Sequence, residues 1–180
     1  LEKIVNVVQI KHKTILEVGP GTGNLTSFIL KKKPKRIFVI EKDENLANHL
    51  EKTFKDQLTI INDDILKINE RSLFESKVTV FGNLPYNIST EILSNWITNS
   101  TEDLWFNNLI LMFQKEVADR IIAKFDTSNY GRLSIISNWK LNVEKICDIK
   151  PDCFSPRPKI DSSLLFFSPK KDFFRIKNPK

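Results

Sequence analysis

Short apolar runs alternate with amphipathic stretches along most of the chain. The runs Thr14–Val18, Arg36–Ile40, Leu58–Asn62, Val78–Gly82 and Asn108–Gln114 are rich in Ile, Val, Leu and Phe. Strands buried on both faces read this way. Between them the pattern predicts helices over Asn24–Lys32, Glu44–Lys55, Thr90–Thr98, Val117–Lys124 and Gly131–Lys140. Asp43 stands where an N-cap belongs, and Leu133, Ile136 and Trp139 recur at helical spacing. Two further runs, Val143–Ile149 and Ser163–Ser168, predict a closing pair of strands around a Pro-punctuated loop from Pro151 to Pro158. Seven strands with helices between them predict an α/β protein with a doubly wound, mostly parallel sheet.

A chain of 180 residues with 41% hydrophobic residues can build one sizeable core. Residues 1–168 are expected to form that domain. Residues 169–180, polar and basic, read as a linker toward a second domain. The chain starts without Met and is expected to be cut from something longer. There is no internal repeat, no secretory pattern and no run long enough for a membrane helix. Cys147 and Cys153, with His12 and His49 far from them, give neither a disulfide framework nor a zinc site, so no metal and a reduced, cytosol-like compartment are expected. The net charge of +6 fits a polyanionic partner, but a Lys-, Ile- and Asn-rich genome produces the same bias. Lys31–Lys33, with Lys35 and Arg36, reads as a solvated helix end. Trp96, Trp105 and Trp139 read as core.

Candidate chemistry sits at the ends of two predicted strands. Leu16-Glu17-Val18-Gly19-Pro20-Gly21-Thr22-Gly23 follows the first. Glycines between a strand and a helix permit a tight turn and close approach of a ligand to the backbone, and the helix start offers free amides. Glu41, ending the second strand, can accept from both hydroxyls of a ribose. The G-x-G-x-G spacing differs from that of dinucleotide binders and cradles no pyrophosphate, which suits S-adenosylmethionine (SAM). Glu17 suits the ammonium group of such a cofactor. Asp64, after the third strand, can accept from an adenine amine or can simply cap a turn, and Ile65 can pack on the ring or offer its amide.

The second motif is Asn83-Leu84-Pro85-Tyr86, at the end of the fourth strand. An adenine exocyclic amine is a poor nucleophile because its lone pair is delocalised into the ring. Two acceptors for its hydrogens, the Asn83 side chain and the Leu84 or Pro85 carbonyl, localise that pair. Pro85 stiffens the turn, and Tyr86 offers a face for the base to stack on. An ordinary Asn-Pro turn is the plainer alternative. In the late loop, Phe154 either clamps the other face of a flipped base or plugs the sheet end, and Arg157 and Lys159 can hold phosphates.

Taken together, Leu16–Gly23, Glu41, Asp64, Asn83–Thr90, Gln114–Val117, Tyr130–Ser134 and Phe154–Ser162 make nearly the whole chain resemble the ribosomal RNA adenine dimethyltransferases. The resemblance is to the bacterial small-subunit branch, whose loss gives kasugamycin resistance. It implies a SAM-binding methyltransferase fold and transfer of two methyls to each of two adjacent adenosines in the 3′-terminal hairpin of small-subunit rRNA. It implies cofactor contacts by Gly19, Glu41, Asp64 and Asn83, beside the turn glycine Gly21, and base contacts by Tyr86 and Phe154. The implied partner is small-subunit rRNA or a 30S precursor in the cytoplasm, met by a monomer with no membrane contact. Family members usually carry an N-terminal Gln-Asn-Phe-Leu-like motif and a C-terminal helical domain, and neither is in this chain. Rival readings are the large-subunit enzyme of macrolide resistance and a non-catalytic nucleic-acid-binding factor on the same fold.

Overall fold

A computed structural model of the protein describes residues 1–99, 103–151 and 160–174. The elements are α1 (Glu2–Val5), β1 (Thr14–Val18), α2 (Asn24–Lys31), β2 (Arg36–Glu41), α3 (Glu44–Phe54), β3 (Thr59–Asn62), α4 (Glu70–Leu73), β4 (Val78–Gly82), α5 (Ser89–Thr98), β5 (Phe106–Gln114), α6 (Lys115–Ile121), α7 (Arg132–Lys140), β6 (Leu141–Ile149) and β7 (Ser162–Pro169). The strand order is β3-β2-β1-β4-β5-β7-β6, so the expected seven-stranded α/β sheet is present. The chain divides into two compact units. One holds residues 1–83 and 105–110, the other residues 84–104 and 111–180.

In the first unit β1 runs parallel to β2 on one side and to β4 on the other, and β2 pairs in parallel with β3. Ile15, Leu16, Ile37, Val39, Val80 and Phe81 are all almost fully buried. Burial on both faces is why these strands read as continuous apolar runs. Asp43 caps α3 as expected, its carboxylate accepting from the Asn45 and Leu46 amides at 2.8 and 3.1 Å. The helix buries Ala47, Leu50 and Phe54. It stops one residue short of expectation because Lys55 turns to φ +49°, and a single 3-10 turn over Lys55–Gln57 delays β3 to Thr59.

In the second unit β6 and β7 form the expected antiparallel pair, longer than the apolar runs implied, with an irregularity between Lys145 and Cys147. Lys115 and Lys145 both pair with Asp119, and Lys145 also reaches Asp148, which ties α6 to β6. Helix α7 departs from its predicted face. Leu133 and Ile136 are only half-buried, and the buried face is Ser134, Ser137, Trp139 and Lys140. Lys140 is tolerated there because its ammonium donates to the Ile97 carbonyl at 2.9 Å and lies 4.1 Å from the Trp139 ring centroid. The first residues after β7 pack on this helix end. The Lys170 amide donates to the Lys140 carbonyl at 2.8 Å and the Trp139 indole to the Phe174 carbonyl at 2.7 Å. Trp96, Trp105 and Trp139 are all buried, as expected for core residues.

Gly23, the N-cap of α2, combines φ +83° with no room for a side chain. A Cβ there meets the Phe54 ring and comes 3.0 Å from Leu50 Cδ2. Left-handed strain and overpacking together predict that Gly23→Ala lowers the unfolding free energy by roughly 2–4 kcal/mol in urea titrations.

Candidate functional site

Parallel pairing puts the ends of β1, β2, β3 and β4 on one edge of the first unit. Gly19, Glu41, Asn62 and Asn83 all lie at or just past those ends. Ligands of open α/β sheets sit at carboxyl strand ends, where the strand order reverses, and here the reversal falls between β1 and β4. Gly19 has φ +68°, its amide donates to the Ile40 carbonyl at 3.0 Å, and a Cβ on it would lie 3.2 Å from the Asn83 carbonyl oxygen. Only glycine suits both its torsion and that close approach.

Glu41 is buried at the lip of this edge. One carboxylate oxygen accepts from the Gly21 amide at 3.1 Å and the other from the Asp43 amide at 3.0 Å. Each oxygen keeps a second lone pair, so an oriented carboxylate of this kind fits a pair of ribose hydroxyls. Asn62, to which no role was given from sequence, donates to the Glu41 carbonyl at 2.9 Å and fixes the start of the following loop.

Asp64 does cap a turn. It accepts from the Leu66 amide at 3.1 Å and pairs with Lys42 at 2.8 Å. The Lys42 hydrogen bond first, then the Leu66 amide, hold its carboxyl below the usual range. Ile65 is buried in the 3-10 turn that Asp64 caps.

Glu17 lies deeper than an open cofactor ligand. It is 1% exposed and accepts a 2.6 Å hydrogen bond from the equally buried Thr26 hydroxyl. Burial pushes its carboxyl from 4.5 up to about 7, against the opposing pull of Thr26. Thr26 carried no signal in the sequence beyond its place on α2.

In the tetrapeptide, Asn83 and Pro85 are exposed, Leu84 is buried and Tyr86 half-buried. The Pro85 carbonyl accepts from the Ile88 amide at 3.1 Å, which leaves the Leu84 carbonyl as the better of the two backbone acceptors expected here. The Tyr86 hydroxyl and the buried Ser162 hydroxyl are 2.6 Å apart. Sequence reasoning gave Ser162 no role, because the two residues are 76 positions apart. Phe154, Arg157, Lys159 and Cys153 lie outside the described residues, and Cys147 carries a free thiol. Among the described residues no group of three His, Cys, Asp or Glu is placed to hold a metal, and no helix is long and apolar enough to cross a membrane.

A Gly-rich turn after β1, an oriented carboxylate ending β2 and Asn-Leu-Pro-Tyr ending β4, on a seven-stranded sheet of this order, define the SAM-dependent methyltransferase fold. The chain belongs to the ribosomal RNA adenine dimethylase family, whose pattern matches residues 1–178. It is 64% identical over 180 residues to the ribosomal RNA small subunit methyltransferase A of Pelagibacter ubique, covering all of this chain and 69% of that protein. It is 43% identical over 168 residues to the protein of the same name from Ehrlichia ruminantium, covering 91% of this chain and 63% of that one. Among solved structures, a dimethyladenosine transferase from Plasmodium falciparum superposes with a TM-score of 0.82 at 31% identity, over 94% of this chain and 61% of that chain. The 23S rRNA methyltransferase ErmE, at 22% identity and a TM-score of 0.76, over 96% of this chain and 68% of that one, shares the fold. The chain thus spans about two thirds of the length of these relatives.

Two predictions follow from the geometry. Between pH 4.5 and about 7 folded Glu17 binds a proton that the unfolded chain has released, so stability falls as pH rises through that window and stays low above it. The loss is up to about 3 kcal/mol, and Glu17→Gln should flatten this part of the stability–pH curve in urea titrations at pH 5 and 8. Ser162→Ala leaves the Tyr86 hydroxyl without its partner and should cost about 1–2 kcal/mol. In a double-mutant cycle, adding Tyr86→Phe should cost less than it does alone.

Proposed function

We propose that this chain is the catalytic part of a small-subunit rRNA methyltransferase that dimethylates the exocyclic amines of two adjacent adenosines in the 3′-terminal hairpin. The observation that carries the reading is the close approach of Gly19 and Asn83, which sets a cofactor turn and an amine-accepting residue side by side. The 64% identity to a small subunit methyltransferase A supports that substrate over large-subunit rRNA. Intact Glu41, Asp64 and Asn83-Leu84-Pro85-Tyr86 support catalysis over a purely binding role.

Glu41 holds the ribose of SAM, Gly19 and Gly21 let the cofactor approach the backbone, and Asp64 and Ile65 meet its adenine. Glu17, buried behind the turn and held by Thr26, supports the turn from beneath and does not reach the ammonium group directly. Bound SAM supplies an electrophilic methyl group on a sulfonium. The Asn83 side-chain oxygen and the Leu84 carbonyl accept the two amine hydrogens and so localise the nitrogen lone pair. Tyr86, held through its hydroxyl by Ser162, gives the adenine a stacking face worth roughly 1–3 kcal/mol. Phe154 is assigned the opposite face. The target adenosine must be unpaired or flipped out, and positioning supplies most of the acceleration. The reading places the protein in the cytoplasm as a monomer acting on rRNA or a 30S precursor.

The test is transfer of labelled methyl groups from SAM to small subunits lacking the modification, by the full-length protein, with nucleosides read by mass spectrometry. Dimethyladenosine at two adjacent positions of the 3′ hairpin is expected. Asn83→Ala should lower kcat by at least about 100-fold while the thermal unfolding transition is unchanged. A folded Asn83→Ala protein that methylates normally removes Asn83 from the mechanism.

A further inference from the structure

The chain's net charge is concentrated away from the chemistry. Residues 1–40 hold eight Lys and Arg against two carboxylates, Glu2 and Glu17, which accounts for the whole +6 of the chain. Residues 41–180 are balanced. Seven of those eight cations meet at the amino ends of β1 and β2. Lys11 and Lys13 lead into β1; Lys31, Lys32, Lys33 and Lys35 join α2 to β2; Arg36 opens β2. The pairing of Thr14 with Arg36 aligns the two segments. Two backbone bonds stitch them together, from the His12 amide to the Lys33 carbonyl at 3.1 Å and from the Lys35 amide to the Lys13 carbonyl at 2.9 Å.

This surface is built rather than incidental. His12 and Lys33, joined by one of those bonds, both take left-handed torsions, φ +62° and +54°, which L residues rarely adopt. Beside them an open cavity of about 390 Å³ is lined by Lys11, Lys31, Lys32 and Lys33, with Asn6, Gln9 and the apolar Val5, Val8 and Ile10 making up the rest. Among the described residues none of the seven cations meets a carboxylate at salt-bridge distance. Lys31 and Arg36 lie instead over the rings of Phe28 and Phe38. Favourable charge at the end of α2 accounts for Lys31 and Lys32. It does not account for Lys11, Lys13, Lys33 and Lys35, which the strand pairing brings to the same place. Like charges gathered this closely repel one another within a Debye length of about 8 Å, and a polyanion relieves that repulsion.

We propose that this lysine surface binds the sugar–phosphate backbone of RNA, as an anchoring site at the end of β1 and β2 opposite to Gly19 and Glu41. The choice of RNA rests on the proposed function. The separation is about 16 Å along the five residues of β1, so the phosphates it holds are not those flanking the target adenosine. The site gives affinity and register without reading sequence.

The test uses the full-length protein with Lys11, Lys32 and Lys33 all changed to Gln, and small subunits lacking the modification as the probe. Affinity measured from 50 to 300 mM salt should fall about tenfold or more at the low end. The slope of log K against log salt should drop by about two to three, near 0.7–0.9 per lost phosphate contact. KM for the subunits should rise by the same factor with kcat and SAM affinity unchanged, and changing the same positions to Arg should restore both. An unchanged slope and KM overturn the proposal. So does a loss of affinity that is equal at all salt concentrations, or retained RNA affinity with lost binding of polyglutamate, which reassigns the surface to an acidic protein. Binding is read separately from transfer. A wild-type protein that binds with a steep salt slope yet transfers no methyl group therefore tells against the proposed reaction and not against this surface.

Discussion

The approach of Gly19 to Asn83 is the constraint on which the first unit's functional edge depends. β1 and β4 pair in parallel with Val18 opposite Gly82, so the chain leaves both strands at the same height and the next residues must share the space between them. A side chain on Gly19 would press on the Asn83 carbonyl at 3.2 Å and push the two turns apart. The same register logic places the rest of the edge. Val18 lies opposite Ile40 and Glu41 opposite Asn62, so Gly19, Glu41, Asn62 and Asn83 come from four separate segments yet meet along one edge. No single motif on this edge is specific. The sheet makes them so by fixing their spacing at the strand-to-strand distance of about 4.8 Å.

Hydrogen-bond accounting in the second motif narrows what it can do. The Pro85 carbonyl is taken by the Ile88 amide, the Tyr86 carbonyl by the Ser89 hydroxyl, and the Tyr86 hydroxyl by Ser162. These bonds spend the motif's polar groups on its own turn, on the start of α5 and on β7. The acceptors left at the front are the Asn83 side chain and the Leu84 carbonyl. The Tyr86 hydroxyl is thus engaged by Ser162, which fixes where its ring lies.

The strands were legible because burial on both faces leaves an unbroken apolar run, and four of the five parallel-type runs were located to within a residue at each end; β5 begins at Phe106, two residues early. What escaped depended on torsions and on partners far along the chain. The end of α3 moved because Lys55 adopts a positive φ, which its side chain does not announce. The face of α7 differs from the hydrophobic periodicity because a lysine and two serines are buried on it, Lys140 donating to the Ile97 carbonyl and Ser134 to that of Gly131. Glycine turn, Glu41 and Asn83 could be named from local chemistry alone. Ser162 and Thr26 could not, since each matters only through a contact that the fold creates. Asp64 showed the opposite: both of its sequence readings were sound, and capping is the one the unliganded geometry displays.

The lysine surface belongs to that last class of feature. Lys31–Lys35 alone resemble any solvated helix end, and nothing in the sequence links them to Lys11 and Lys13. Parallel pairing makes the link, because the residues before β1 and those before β2 must emerge on the same edge. The same pairing sends Glu41 and Gly19 to the other edge. The first unit is therefore polarised along its strands, with its uncompensated cations at the amino ends and the oriented carboxylate of Glu41 and the capped, Lys42-paired Asp64 at the carboxyl ends. The sheet thus keeps the two sets of charges about 16 Å apart along β1, so they share one small unit without neutralising each other.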